Sequence, residues 1–180
     1  FENYKDVIEK TKGIKDVKAV IPQINSQSII KFDNFAKGVL AKGIDAENVK
    51  NDLNLRIVKG NSNISELNSI LIGEGLSKEM KLKVGDELSL VSAENKELKL
   101  IVRGIFKTGS LDYDSNLAIV PLEAMQILSD QGRVATEIGI KIEHPERVDE
   151  VLNQVRNAVD PKEYGVISWK TINQNLLKAV

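Results

Sequence analysis

Apolar and polar positions alternate with a period of two along much of this chain, as they do in strands that bury one face. Residues 17–32, "VKAVIPQINSQSIIKF", read as extended structure rich in Val and Ile, with Pro22 suited to an edge or a bend. Residues 36–45, "AKGVLAKGID", read as a second strand entered from the "FDN" turn. Residues 134–143, "VATEIGIKIE", repeat the alternation. The period changes to that of a helix at two places. "ENYKDVIEKTKG" sets Tyr4, Val7 and Ile8 one turn apart and stops at Gly13. "HPERVDEVLNQVRNAV" places Pro145 in a first turn and carries a stripe of Val148, Val151, Leu152 and Val155. "YGVISW", residues 164–169, is then expected as a strand.

Both ends of the chain therefore carry a helix–strand unit, and the second also has its leading strand. Two such units predict a ferredoxin-like split βαβ layer, with the first strand of the first unit expected before residue 1. The chain opens and closes in helix-like segments, as an excised domain would. Residues 46–133 have another texture. Short strands, "NSILIG", "DELSLVSA", "ELKLIVRGIFK" and "NLAIV", alternate with turns, and "EGLSKEMKL" and "PLEAMQILS" read as brief helices. "SAENKE" is a hairpin turn between two alternating strands. The predicted class is α+β. Residues 1–45 and 134–180 form one discontinuous α/β subdomain, and residues 46–133 form an inserted β-rich one.

Composition narrows the function. The chain has 180 residues, 25 basic and 26 acidic, for a net charge of −1. No basic stripe or arginine-plus-aromatic cluster marks a nucleic-acid surface. There is no cysteine, which excludes a disulfide framework, a zinc–thiolate site and a thiol nucleophile. No apolar run approaches the ~20 residues that cross a bilayer, and no signal-peptide pattern is present.

The candidate chemistry is thin. Asp112, Tyr113 and Asp114 crowd into one polar stretch, "TGSLDYDSN". Two carboxylates at i and i+2 invite a glycosidase-like pair, but such a pair must stand across a substrate, and Asp and Ser more often close turns by bonding backbone N–H groups. His144 is the sole histidine. It precedes Pro145 at a helix entry, with no G-x-S-x-G elbow and no H-E-x-x-H partner. Gly73 and Gly75 precede a helix but lack the rest of a phosphate-loop motif. They read, with Gly85, as turns using positive φ. Trp169, the sole tryptophan, fits a core plug first and a membrane-interface contact second. No complete catalytic, metal or cofactor constellation is visible.

Four phrases in order carry a resemblance: "GVLAKGID", "SILIGEGLSKEMKLKVGDELSLVS", "LKLIVRGIFKTGSLDYDSNLAIVPLEAMQIL" and "SWKTINQNLLKAV". Together they resemble the periplasmic domain of lipoprotein-releasing ABC-transporter permeases of the LolC/LolE type, within the MacB/FtsX-like group. The most specific pieces are G-I-F-x-T-G-x-x-D-Y-D at residues 104–114 and W-x-x-x-N-x-N-L at residues 169–176. The resemblance implies a MacB-like periplasmic core domain, with a porter-like subdomain built from both ends and a small β-rich subdomain inserted. It implies a place between two transmembrane helices of an inner-membrane protein, with the final "NQNLLKAV" leading into the second. It further implies a separate ATP-binding cassette subunit, a second permease copy or paralogue, lipoprotein cargo and a periplasmic lipoprotein chaperone. No cofactor, metal or catalytic residue is implied. Asp112, Tyr113 and Asp114 match a family loop with no catalytic role and are expected as a rigid connection. With Asn95 and Trp169 they are the candidates for partner contact or for a structural loop. Members of the LolC type carry a long hairpin that catches the chaperone. Here only Ala93–Glu94–Asn95–Lys96 joins the corresponding strands, which leaves the chaperone's binding place open.

Overall fold

The computed structural model describes residues 4–52, 55–130 and 132–172. Six helices and eight strands alternate along it: α1 (Tyr4–Thr11), β1 (Val17–Phe32), β2 (Phe35–Ile44), α2 (Val49–Asp52), β3 (Arg56–Gly60), β4 (Ser69–Gly73), α3 (Glu74–Met80), β5 (Glu87–Ser92), β6 (Glu97–Lys107), α4 (Leu111–Asn116), β7 (Leu117–Pro121), α5 (Leu122–Ser129), β8 (Glu137–Ile142) and α6 (Val148–Ala158). Single 3₁₀ turns precede α2 and α6. The chain divides into two compact units. Over the described residues, one unit holds 21–139 and the other 4–20 with 140–172. The division falls inside β1 and β8, and not at the 45/46 and 133/134 boundaries expected above. The reason lies in the pairing of residues 21–45. Gln23 to Phe32 of β1 pair with Ile44 to Phe35 of β2, and β2 then pairs with β7. Hydrogen bonds thus commit that hairpin to the middle of the chain.

In the 21–139 unit the strands close on themselves. β2, β7, β4, β6, β5 and β1 are neighbours in that order, and β1 also pairs with β2. Residues 28–31 of β1 make both bonds, to Val39–Ala36 of β2 on one edge and to Ser92–Ser89 of β5 on the other. Closure removes the exposed edges that an open sheet would present. Two outlying strands extend the ring. β3 pairs with the end of β6 through a bulge between Ile57 and Lys59, and β8 pairs with β1. The carboxamides of Gln23 and Asn25 each donate to Glu137 Oε2, at 2.9 and 3.0 Å, and so hold β8 to β1 from the side chains as well.

The alternation read from the sequence now has a destination. Ile24 and Ile30, Val39 and Ala41, Ile70 and Ile72, Leu88 and Leu90, Leu100 and Val102, and Ala118 and Val120 all enter one core. Five strands of the ring supply a pair two residues apart and β1 a pair six apart, all even spacings, because successive side chains of a strand face opposite ways. Leu76 and Met80 of α3, Leu82, and Leu122, Met125 and Leu128 of α5 join the same core. Met125 lies against Gly43, where a Cβ would come within 2.6 Å of its Cγ.

In the other unit, α1 buries Tyr4, Val7 and Thr11, and α6 buries Val148, Val151 and Val155. Leu152, expected in the same stripe, is only partly buried. Asp16, in the left-handed region at φ 69°, turns the chain into β1. Its carbonyl accepts the Glu143 N–H at 2.9 Å, and its carboxylate pairs with Arg147. The strand expected at 164–169 does not form. The amides of Glu163 and Tyr164 turn back to the Asp160 carbonyl, and Arg156 donates to the Val166 carbonyl at 3.1 Å. A side chain has taken an acceptor that a ladder would need.

Ile72 is fully buried in the ring. Ile72→Ala is expected to cost about 2–5 kcal/mol, the usual range for emptying such a site. Urea unfolding measures it, and a loss below about 1 kcal/mol contradicts the core described. A second prediction concerns pH. Arg147 bonds Glu150 through both terminal and inner nitrogens, at 2.7 to 3.0 Å. The guanidinium holds the Glu150 carboxyl below its ordinary range. A carboxyl lowered in the fold stabilises it above its unfolded pKa, and that contribution is lost as pH falls through the folded value. Glu150→Gln is therefore expected to flatten the acid side of the α6 stability profile and leave neutral pH less stable. Hydrogen exchange of α6 amides from pH 3 to 7 reads both effects.

Candidate functional site

The stretch 104–114 joins β6 to α4, and each of its marked residues has a local reason. Gly104 lies where a Cβ would meet the Asn61 carbonyl oxygen at 2.1 Å, so only glycine lets that segment pass. Ile105 and Phe106 are buried. After Lys107 the chain turns through Gly109, at φ 92°, where glycine avoids the steric cost of the left-handed region. The turn is fastened by Asp114. Its Oδ1 accepts the Thr108 N–H at 2.6 Å and the Thr108 hydroxyl at 2.8 Å. The Ser110 N–H donates to Thr108 Oγ1 at 3.1 Å, and the Asp114 N–H returns to the Ser110 carbonyl at 2.9 Å. Asp114 is only 5% exposed.

The expected loop is thus a short helix, residues 111–116, held at its base by a buried carboxylate. Residues at i and i+2 on a helix diverge by about 200°. Asp112 accordingly sits on the exposed side, where its Oδ1 accepts the Asn116 side-chain N–H at 2.9 Å. The two carboxylates serve different partners and do not face a common substrate. Leu111 is 86% exposed and Tyr113 46% exposed, the outward residues of the same helix.

The bed beneath α4 explains two glycines that sequence reasoning assigned to positive-φ turns. Gly73 caps α3 at φ −67°, and Gly75 lies inside α3, so neither uses the left-handed region. They are glycines because α4 comes close. A Cβ on Gly73 would lie 2.1 Å from the Asp114 carbonyl oxygen, and one on Gly75 would lie 2.5 Å from Ser115 Oγ. Gly85, at φ 95°, is the turn expected of it. The share of Thr108 and of the two glycines in this junction was not anticipated. The threonine, six residues before the aspartate in "TGSLDYD", was the available signal.

Asn95 occupies the β5–β6 turn at φ 61° and donates its N–H to the Ser92 carbonyl at 3.0 Å. The next residue, Lys96, reaches Asp130 at the end of α5, Nζ to Oδ1 2.7 Å. The turn is tied down and does not project. Trp169, in the other unit, opens a helical turn at 169–172. It is 51% exposed, which overturns the core-plug expectation. The rest of the W-x-x-x-N-x-N-L stretch, with the expected final helix, lies outside the described residues beyond Ile172. His144 enters the 3₁₀ turn before α6, with Nδ1 3.3 Å from a Glu146 carboxylate oxygen. Among the described residues no group of three His, Asp or Glu side chains gathers for a metal, and no helix is long and apolar enough to cross a membrane.

No protein-family model matches the chain, and no curated protein does. Solved structures do match. The extracellular domain of the noncanonical ABC-type transporter YknZ from Gram-positive bacteria superposes with a TM-score of 0.69 at 14% identity, over 91% of this chain and 88% of that one. The periplasmic region of MacB from Actinobacillus actinomycetemcomitans superposes with a TM-score of 0.67 at 14% identity, over 96% of this chain and 81% of that one. The α+β fold of this chain is the fold of those domains.

A contrast between two neighbouring aspartates tests the structural reading of the site. Asp114→Ala leaves the partly buried Thr108 N–H and hydroxyl without their acceptor and is expected to cost about 1–3 kcal/mol. Asp112→Ala is expected to stay within about 0.5 kcal/mol of the parent, as exposed substitutions do. Thermal melts compare the two. An Asp114→Ala variant that melts normally but has lost a biochemical activity sinks the structural reading.

Proposed function

We propose that this chain is the extracytoplasmic domain of an ABC-transporter permease of an inner membrane. The observation that carries the reading is the extent of the fold match, which runs over nearly all of this chain and most of two transporter domains. A partial match to one sheet would carry far less, because one fold hosts many functions. The site supports the same reading. Its one buried carboxylate is consumed by a turn, and its two carboxylates face apart, so the domain contributes shape and not chemistry. ATP is hydrolysed in this reading by a separate cassette subunit, and a second permease copy or paralogue completes the transporter. The domain has two parts, a porter-like one from both ends and an inserted β-rich one, with 20/21 and 139/140 as working boundaries. Exposed Asp112, Tyr113 and Trp169 are the residues offered for partner contact, whereas Asp114 and Asn95 hold turns.

Within that class we assign the permease to lipoprotein release, of the LolC/LolE type, from the inner membrane toward a periplasmic chaperone. The order of the four sequence phrases and the 104–114 and 169–176 stretches support this finer reading. One observation favours a second reading, an efflux or signalling permease of the MacB/FtsX group. The turn at Asn95 is short and pinned to α5 through Lys96 and Asp130, so it offers no projecting hairpin to a chaperone.

Depleting the full-length permease and fractionating lipoproteins between the two membranes separates the readings. Accumulation in the inner membrane is the outcome expected of lipoprotein release. An unchanged distribution overturns that assignment and leaves the efflux or signalling permease.

A further inference from the structure

No further inference is drawn: the strongest candidate, the exposed apolar side chains of Ile167, Trp169 and Ile172 at the helical turn that follows α6, is an unpartnered surface patch, and nothing in the structure shows what covers it.

Discussion

Everything in the larger unit depends on β1 being bonded along both edges at once. Over four residues it pairs with β2 on one side and β5 on the other. Without the second set of bonds the strands would form an open sheet with two free edges, and the twelve inward side chains would have no enclosed volume to share. With them, inward positions from six strands meet in one core, and the hydrophobic effect acts on all six together. The helices follow from this. α3 and α5 lay apolar residues onto a core that already exists, which suits helices of seven and eight residues, too short to be stable alone.

The α4 junction follows the same logic at smaller scale. A chain leaving a closed ring must turn sharply and still satisfy its backbone groups. Here one carboxylate oxygen serves both the amide and the hydroxyl of Thr108, and two glycines remove the side chains that would keep α4 away. A charged group is buried because the turn needs a strong acceptor, and the price is a position that tolerates little change. Burial and carboxylate crowding resemble the marks of catalysis, yet the carboxylate of Asp114 bonds Thr108 of its own turn.

Period-two alternation made β1, β2, β5, β6 and β8 legible, short apolar runs marked β4 and β7, and the helical period marked α1, α5 and α6. Alternation tells which face of a strand is buried but not which strand lies beside it, so the ring closure and the resulting boundaries stayed hidden. β3 escaped notice because its five residues carry only two apolar side chains, Ile57 and Val58, and a bulge interrupts its pairing with β6. The segment at 164–169 erred in the other direction. Its residues suit a strand, but local turns at Asp160 and the Arg156 side chain claim its backbone. At the candidate site the aspartates were visible and their roles were not, since a helix of six residues separates side chains that look adjacent in the text. Trp169 is exposed although its residue type is usually well buried, a choice composition cannot reveal.

The ring also orders events in time. β1 and β2 form a tight hairpin early in the chain, but Leu40 through Ile44 of β2 pair with Leu117 through Pro121 of β7, which is synthesised far later. Until then the outer edge of β2 has no strand beside it, and that gap is closed only by contacts distant in sequence, which form slowly. A nascent chain therefore carries an unpaired, Val- and Leu-bearing edge for as long as β7 is missing. Assembly of this protein is exposed to mispairing with its neighbours in that interval, and the hazard ends only when the last strand of the ring arrives.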